Sequence, residues 1–467
     1  MLQGGCHLND WDIRELVDSM PEYQEFMTQD EMDASSERLA KTYPDCVTLF
    51  TIGNSRKGHP LYCLKIGSEG PNALLLGCPH PNEPIGTLML EYLSEKLASD
   101  AVLRKKLGYT WYIVKSWDCD GVQENAGWFK GPLTIERYAR NFYRPASCQQ
   151  VDWTFPIDYK TYHYNAPLPE TAAIMRLMEE IRPVFLYPLH NSAGFGGAYW
   201  FLSEPATKEV YEAIHGAAVR QNIPLQAAGE TLSAPIYAPA IFGKSGIRET
   251  YDALVSSGVS NISDVLTYGT NSMDYGDTCY HAKSIIAELP YFVAPQLENH
   301  ELSDLTFGEA KRRGIAYKQE SDRSILEILA QLDGFDVSND PYYLMLEDFV
   351  SLPETYVTTD DSSKEEEQRP ATKAEVCEQI YISQFFKLLN HGTLIRLLKR
   401  LLDRYPQNAQ LEALLDQAES LFQEILHRIE SGLIYYPASI KSVASVQLEC
   451  GLLFSQYVRE NHAARSA

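Results

Sequence analysis

Short apolar runs set between amphipathic stretches constrain this 467-residue chain more than any other feature. The runs at 72–78 (NALLLGC), 183–189 (PVFLYPL) and 284–289 (SIIAEL) are brief and lack polar alternation. Strands of that kind are covered on both faces, as in the middle of a parallel sheet. Helical patterns lie between and around them at 28–42, 85–98, 171–181 and 208–221, with further strands at 47–52, 61–66 and 109–115. The strands 47–52 and 61–66 flank a polar, glycine-bounded turn, Gly53-Asn54-Ser55-Arg56-Lys57-Gly58, and read as a hairpin. The expected fold is α/β: a mixed, mostly parallel sheet flanked by helices.

Beyond a helical pattern at 303–334, residues 353–373 are polar, acidic and nearly free of large aliphatics, which reads as a linker or mobile loop. Three amphipathic stretches follow at 376–403, 409–431 and 439–461. They predict an antiparallel all-α appendage. The expected organisation is a main domain at 1–345, an acidic linker at 346–374 and a C-terminal helical domain at 375–467. The aliphatic stripes of that domain suit core packing, a homo-oligomer contact, or a cover over a cleft.

Forty Lys+Arg stand against 63 Asp+Glu, a net charge of −23. That balance argues against nucleic acid, whose binding rests on phosphate neutralisation. No run of about 18 apolar residues predicts a membrane span. The first residues, MLQGGCHLND, carry no basic-then-apolar leader pattern, and the nine cysteines include no C-x-x-C. Reduced thiols and a cytoplasmic location are the expectation.

Chemistry-bearing residues cluster at the ends of the apolar runs. His80-Pro81-Asn82-Glu83 follows the first, His190-Asn191 follows the second, and Glu288 lies inside the third. In open α/β sheets ligands bind outside the carboxyl ends of strands. An H-x-x-E with a distant His makes a three-ligand zinc set that leaves a fourth position open. A glutamate in an apolar strand is costly unless paired or functional, so Glu288 suits a general base and acid. H-x-x-E alone recurs by chance, and Glu288 alone could pair with a core arginine; the joint placement gives the pattern its meaning.

Taken in order, these residues resemble the M14 family of zinc metallocarboxypeptidases over about residues 25–335. The opening TQDEMDASSERLAKTYPDCVTLFTIGNSRKGHPLYCLKIG is similar to the family's first helix, strand and glycine-rich turn. Asp120-Gly121, Val151-Asp152, Phe155-Pro156, Pro169-Glu170-Thr171, Tyr268 and Asp274-Tyr275 resemble further family landmarks. The resemblance implies one Zn²⁺ per chain held by His80, Glu83 and His190, with Glu288 as general base. It implies that Asp152 accepts the second N–H of His80 and that Tyr268 closes over substrate, although Tyr268 also reads as an ordinary loop tyrosine.

The chain departs from the family where substrate is held. The family's Asn-Arg pair, which binds a terminal carboxylate, is missing from Val151-Asp152-Trp153-Thr154-Phe155-Pro156, and Asn82 stands where H-x-R-E has arginine. Arg144 is the first choice for the oxyanion arginine and Arg140 the second; Arg248 and Asn82 are further substrate-binding candidates. The Arg137–Arg144 stretch also reads as a solvated helix face. The expected activity is hydrolysis of peptide-like amide bonds. Deacylation of small N-acyl amino acids, in the manner of the succinylglutamate desuccinylase and aspartoacylase branch, is the alternative. A non-catalytic binding scaffold is a third reading.

Overall fold

A computed structural model of the protein describes residues 10–192, 194–226, 234–244, 246–350 and 367–466. Nine strands among these residues form one sheet: β1 (Val47–Asn54), β2 (Pro60–Ile66), β3 (Asn72–Leu76), β4 (Thr110–Val114), β5 (Phe185–Pro188), β6 (Tyr199–Leu202), β7 (Ile236–Ala238), β8 (Ile241–Gly243) and β9 (Lys283–Glu288). Their order is β1-β2-β4-β3-β5-β9-β6-β8-β7. The central strands β4, β3, β5 and β9 are all parallel. Antiparallel pairs lie toward the edges, where hairpins and reversals become sterically easy.

The expected double coverage of the central strands is present. Leu75 of β3 with Phe185 and Tyr187 of β5 face one core, while Leu74, Leu76 and Leu186 face the other. Helix α1 (Ile85–Ser99) packs on the first face. Helix α2 (Pro169–Ile181) covers the second through Ile174, Leu177 and Met178. Pro169 fits its first turn because no amide donor is required there.

The C-terminal helices α3 (Ser383–Arg404), α4 (Ala409–Gly432) and α5 (Ile440–Ser466) belong to the same body as the sheet. They share the larger hydrophobic core with β3, β4 and β5. Helix α5 lies against the β5 face: a Cβ on Gly451 would come within 2.3 Å of the Tyr187 ring, so only glycine permits this approach. The Tyr187 hydroxyl donates to the Gln447 carbonyl at 2.9 Å, and the Tyr109 hydroxyl to the Ser455 carbonyl at 2.6 Å. The helices read from sequence as an appendage therefore share the sheet's larger core, α5 against the sheet itself and α3 and α4 outside it, packed on other helices. The amphipathic pattern locates the helices, while the face they bury is decided by the sheet.

The helical pattern at 303–334 resolves into a strand at Leu302–Thr306, a helix at Phe307–Leu329 and a 3₁₀ turn at Ala330–Leu332. Thr306 caps the helix by accepting from the Glu309 amide at 3.2 Å. The acidic stretch expected as a linker lies partly outside the described residues, at 351–366. Its described end, Pro370–Thr372, pairs antiparallel with Leu302–Thr306. The eight cysteines among the described residues are all unpaired thiols. No helix among the described residues is long and apolar enough to cross a membrane.

Candidate active site

Strand β3 leads through Gly77 and Cys78 into the first histidine. Cys78 takes φ 46°, a left-handed conformation that costs energy for a residue with a Cβ. Its buried Sγ lies 3.2 Å from the Thr87 hydroxyl oxygen, and burial pushes the thiol up to about 12, so it is spent in packing. The Glu83 amide then donates to the His80 carbonyl at 3.1 Å, a tight turn that returns the carboxylate toward the imidazole. Strand β5 ends at Pro188, two residues before His190.

His80, Glu83 and His190 are brought together, all buried. The His80 and His190 Nδ1 atoms are 3.1 Å apart. His80 Nδ1 is 3.1 Å from Glu83 Oε1, and His190 Nδ1 is 3.1 Å from Glu83 Oε2. Asp152 joins them from the other side of His190, with Oδ2 3.3 Å from His190 Nε2. His80, Asp152 and His190 each offer a ligand atom within 4.8 Å of the others.

Two imidazoles and two carboxylates packed this closely suit a divalent cation. Zinc bonds of about 2.0–2.2 Å to nitrogen and oxygen place neighbouring ligands little more than 3 Å apart. The buried carboxylates also need positive charge nearby. Burial opposes ionisation of Glu83, yet the His80 and His190 imidazoles outweigh it and hold the carboxyl well below its usual range. Burial, then the Arg144 charge, lowers His80 to about 4. Burial acts the same way on His190, but Asp152 and Glu83 prevail and raise it to about 10.

Arg144 and Glu288 complete the centre. Arg144 donates from Nη1 to Glu83 Oε1 at 2.9 Å and from Nε to Gln150 Oε1 at 3.1 Å. Glu288 ends β9 opposite Tyr199, on the strand beside the one that leads to His190. Burial, then the Glu83 charge, raises its carboxyl to about 7, and it also feels His190, Arg144 and Asp152. Tyr268 stands at the wall of the centre, its ring 5.3 Å from that of Trp153, which itself meets the His80 ring edge-on at 5.5 Å.

Four expected roles change. Asp152 faces His190 Nε2 rather than serving as the hydrogen-bond partner of His80; its Oδ1 accepts from the Ser272 amide at 3.0 Å. Neither His80 Nε2 nor His190 Nε2 makes a hydrogen bond among the described residues, the 3.3 Å approach of Asp152 to His190 being an ion-pair contact. Arg140 turns away to the C-terminal layer, where it donates to Glu419 at 2.8 Å and lies 4.3 Å over the Phe422 ring. Arg248 pairs with Asp274 at 3.5 Å and covers the Tyr159 ring. Asn82 is fully buried; its backbone carbonyl accepts from the Tyr291 hydroxyl at 2.7 Å, and its side-chain amide has no hydrogen-bond partner among the described residues.

Two site residues escaped sequence reasoning. Trp153 lies within the stretch noted for its missing Asn-Arg pair, and its size was the available signal. Gln447 donates from Nε2 to the His190 carbonyl at 2.8 Å. It comes from α5, 257 residues away, and carries no local signature.

A family model for zinc carboxypeptidases, peptidase family M14, matches residues 32–283. The chain belongs to the M14 zinc carboxypeptidase family. The match spans His80, Glu83, Asp152, His190 and Tyr268, and Glu288 lies five residues beyond its end. Among solved structures the chain is similar to bovine thrombin-activatable fibrinolysis inhibitor, with 16% identity, 57% of this chain and 87% of that chain covered, and a TM-score of 0.38. It is also similar to carboxypeptidase A from Helicoverpa armigera, with 17% identity, 61% and 72% covered, and a TM-score of 0.36. No curated protein matches the chain by sequence. The family depends on zinc, and the buried imidazole–carboxylate group described above is where this M14 chain could bind a metal.

Proposed function

We propose that this M14 chain is a zinc-dependent hydrolase of peptide-like amide bonds. The observation that carries the reading is the convergence of His80 Nδ1, His190 Nδ1 and both Glu83 oxygens at 3.1 Å spacings, with Glu288 at the end of the adjoining strand. His80, Glu83 and His190 would hold the ion. Zinc bound there supplies Lewis-acid polarisation of a carbonyl and a water of lowered pKa.

The chain's own groups do the rest. Glu288 takes a proton from the attacking water and delivers it to the departing amine. Arg144, anchored by Gln150, presents its guanidinium to the carbonyl oxygen as negative charge develops there. Asp152 orients the His190 ring through Nε2.

Two variants test the reading. His80→Ala is expected to lose both bound zinc and hydrolysis of a peptide panel. Glu288→Gln is expected to retain zinc and lose hydrolysis. Hydrolysis that survives Glu288→Gln overturns the mechanism, and a wild-type protein inert toward every amide points to a binding scaffold.

A further inference from the structure

A second cleft opens beside α1, the helix that follows Glu83. Its volume is about 380 Å³, and it is bounded by the segment 23–27, the helix Gln29–Thr42, Leu88 of α1 and Lys130. Small-molecule sites commonly measure roughly 300–1,000 Å³. None of its residues belongs to the proposed metal centre. Tyr23, Phe26, Met27 and Leu88 give it apolar surface. Glu31, Ala34, Ser35 and Arg38 stand at i, i+3, i+4 and i+7, so one face of the helix Gln29–Thr42 forms a wall.

That wall carries opposite chemistry at its two ends. At one end the buried Lys115 ammonium donates to Glu91 at 2.5 Å and to the Ser35 hydroxyl at 3.0 Å, and Ser35 donates to Glu91 at 2.6 Å. Glu91 is thus satisfied before Arg38 reaches it. Arg38 lies 3.6 Å from Glu91 with 65% of its side chain exposed, so its five-donor guanidinium has donors to spare. Burial, then the Glu91 charge, pushes Tyr23 up to about 12, which keeps its hydroxyl protonated as a further donor. Glu95, one turn along α1 and outside the cleft, accepts from the Tyr43 hydroxyl at 3.3 Å. At the other end two carboxylates share one ammonium: Lys130 lies 2.8 Å from Glu31 and 3.7 Å from Glu25. Glu31 also accepts from the Thr28 amide at 2.8 Å and Glu25 from the Gly131 amide at 3.0 Å. Two carboxylates hold more lone pairs than these donors fill.

We propose that this cleft binds a short peptide with free termini and an apolar side chain, its carboxylate at Arg38, its ammonium at Glu25 and Glu31, and its side chain against Phe26, Met27 and Leu88. Length follows from the spacing of the ends. Glu31 and Arg38 are seven residues apart, about 10 Å along the helix axis. An extended chain of three residues spans about the same 10 Å. A free amino acid holds its two charges too close together to meet both ends. The site stands apart from the metal centre and does not rest on the hydrolase reading.

The test is calorimetric titration of the zinc-loaded full chain carrying Glu288→Gln, with mass spectrometry to verify that each probe stays intact. The probes are trileucine, N-acetyl-trileucine, trileucine amide and triglycine. Trileucine is expected to bind best, and blocking either terminus to weaken binding about fivefold, the upper range for an ion pair open to water. Triglycine is expected to bind weakest, because it has no apolar side chain. Arg38→Ala should abolish the preference for the free carboxylate over the amide and leave the preference for the free amine. Glu31→Gln, which retains a side-chain acceptor for the Thr28 amide, should reduce the preference for the free amine and leave the other. Both side chains are exposed, and an unchanged circular dichroism spectrum verifies that each variant is folded. Equal affinity for free and blocked trileucine overturns the proposal, as does the absence of binding at millimolar concentration. Terminal preferences that survive both variants place the peptide elsewhere and overturn it too.

Discussion

Gln447 Nε2 donates to the carbonyl oxygen of His190 at 2.8 Å, tying the C-terminal helix to the loop that carries a proposed metal ligand. Gln447 is fully buried. Gln447→Leu would leave the His190 carbonyl without that donor in an apolar setting, a cost of about 1–3 kcal/mol. The helix itself should stay in place, because the Tyr187 hydroxyl bonds the backbone carbonyl of residue 447. The expected result is a roughly tenfold weaker affinity for zinc with an unchanged circular dichroism spectrum. Competition with a metal chelator measures it, and unaltered zinc affinity would show that the loop is positioned without Gln447.

The helical layer as a whole bears a stronger prediction. Arg396 on α3 donates to the carbonyls of Asn141, Phe142 and Glu124, gripping the segment that leads to Arg144. A Cβ on Gly392 would come within 1.9 Å of the Ala139 carbonyl, so α3 runs in near-contact with that segment. Removing residues 375–467 would strip a layer from the core that holds Phe185 and Tyr187. Such a fragment is expected to be insoluble or to unfold without a cooperative transition on heating. A soluble, fully active fragment ending at residue 374 would return the helices to the status of an appendage.

These contacts show which parts of the molecule could be read in advance. The ends of β3, β5 and β9 were legible because short apolar runs stop where polar ligands begin, and local chemistry alone marks that boundary. The C-terminal helices were legible as helices, since periodicity is a local property. Their docking face was not, because it depends on Tyr187, Tyr109 and Gly451 meeting across hundreds of residues. The arginines show the same division. Arg140 and Arg144 are one helical turn apart in sequence, yet Arg140 is drawn to Glu419 while Arg144 turns to Glu83 once the helix Ile135–Asn141 has ended.

Arg144 supplies the next prediction. Its fork spans Glu83 and Gln150, and a lysine offers one point charge where the guanidinium offers two directed donors. Arg144→Ala is expected to lower kcat about 100- to 1,000-fold, the loss typical of an oxyanion donor. Arg144→Lys should recover little of that. Zinc content, read by atomic emission, should stay at one per chain in both variants. Loss of zinc along with activity would instead assign Arg144 to holding Glu83.

His391 gives the fold a built-in acid sensitivity. It is completely buried in α3, with Nε2 3.0 Å from the Ser321 hydroxyl oxygen on the facing helix Phe307–Leu329. Burial, then the neighbouring Lys387 charge, lowers its pKa to about 3 from the ordinary 6.5. Lys387 is itself engaged with Asp322 at 2.8 Å. Below pH 6.5 the unfolded chain binds a proton at this histidine that the folded chain refuses. Stability from this group is therefore complete above pH 6.5 and lost as pH falls toward 3, by about 1.4 kcal/mol per unit. Urea unfolding at pH 7.5 and pH 4.5 should show a drop about 2–3 kcal/mol larger in the wild type than in His391→Leu. Equal drops in the two proteins would mean that His391 already titrates normally in the folded state.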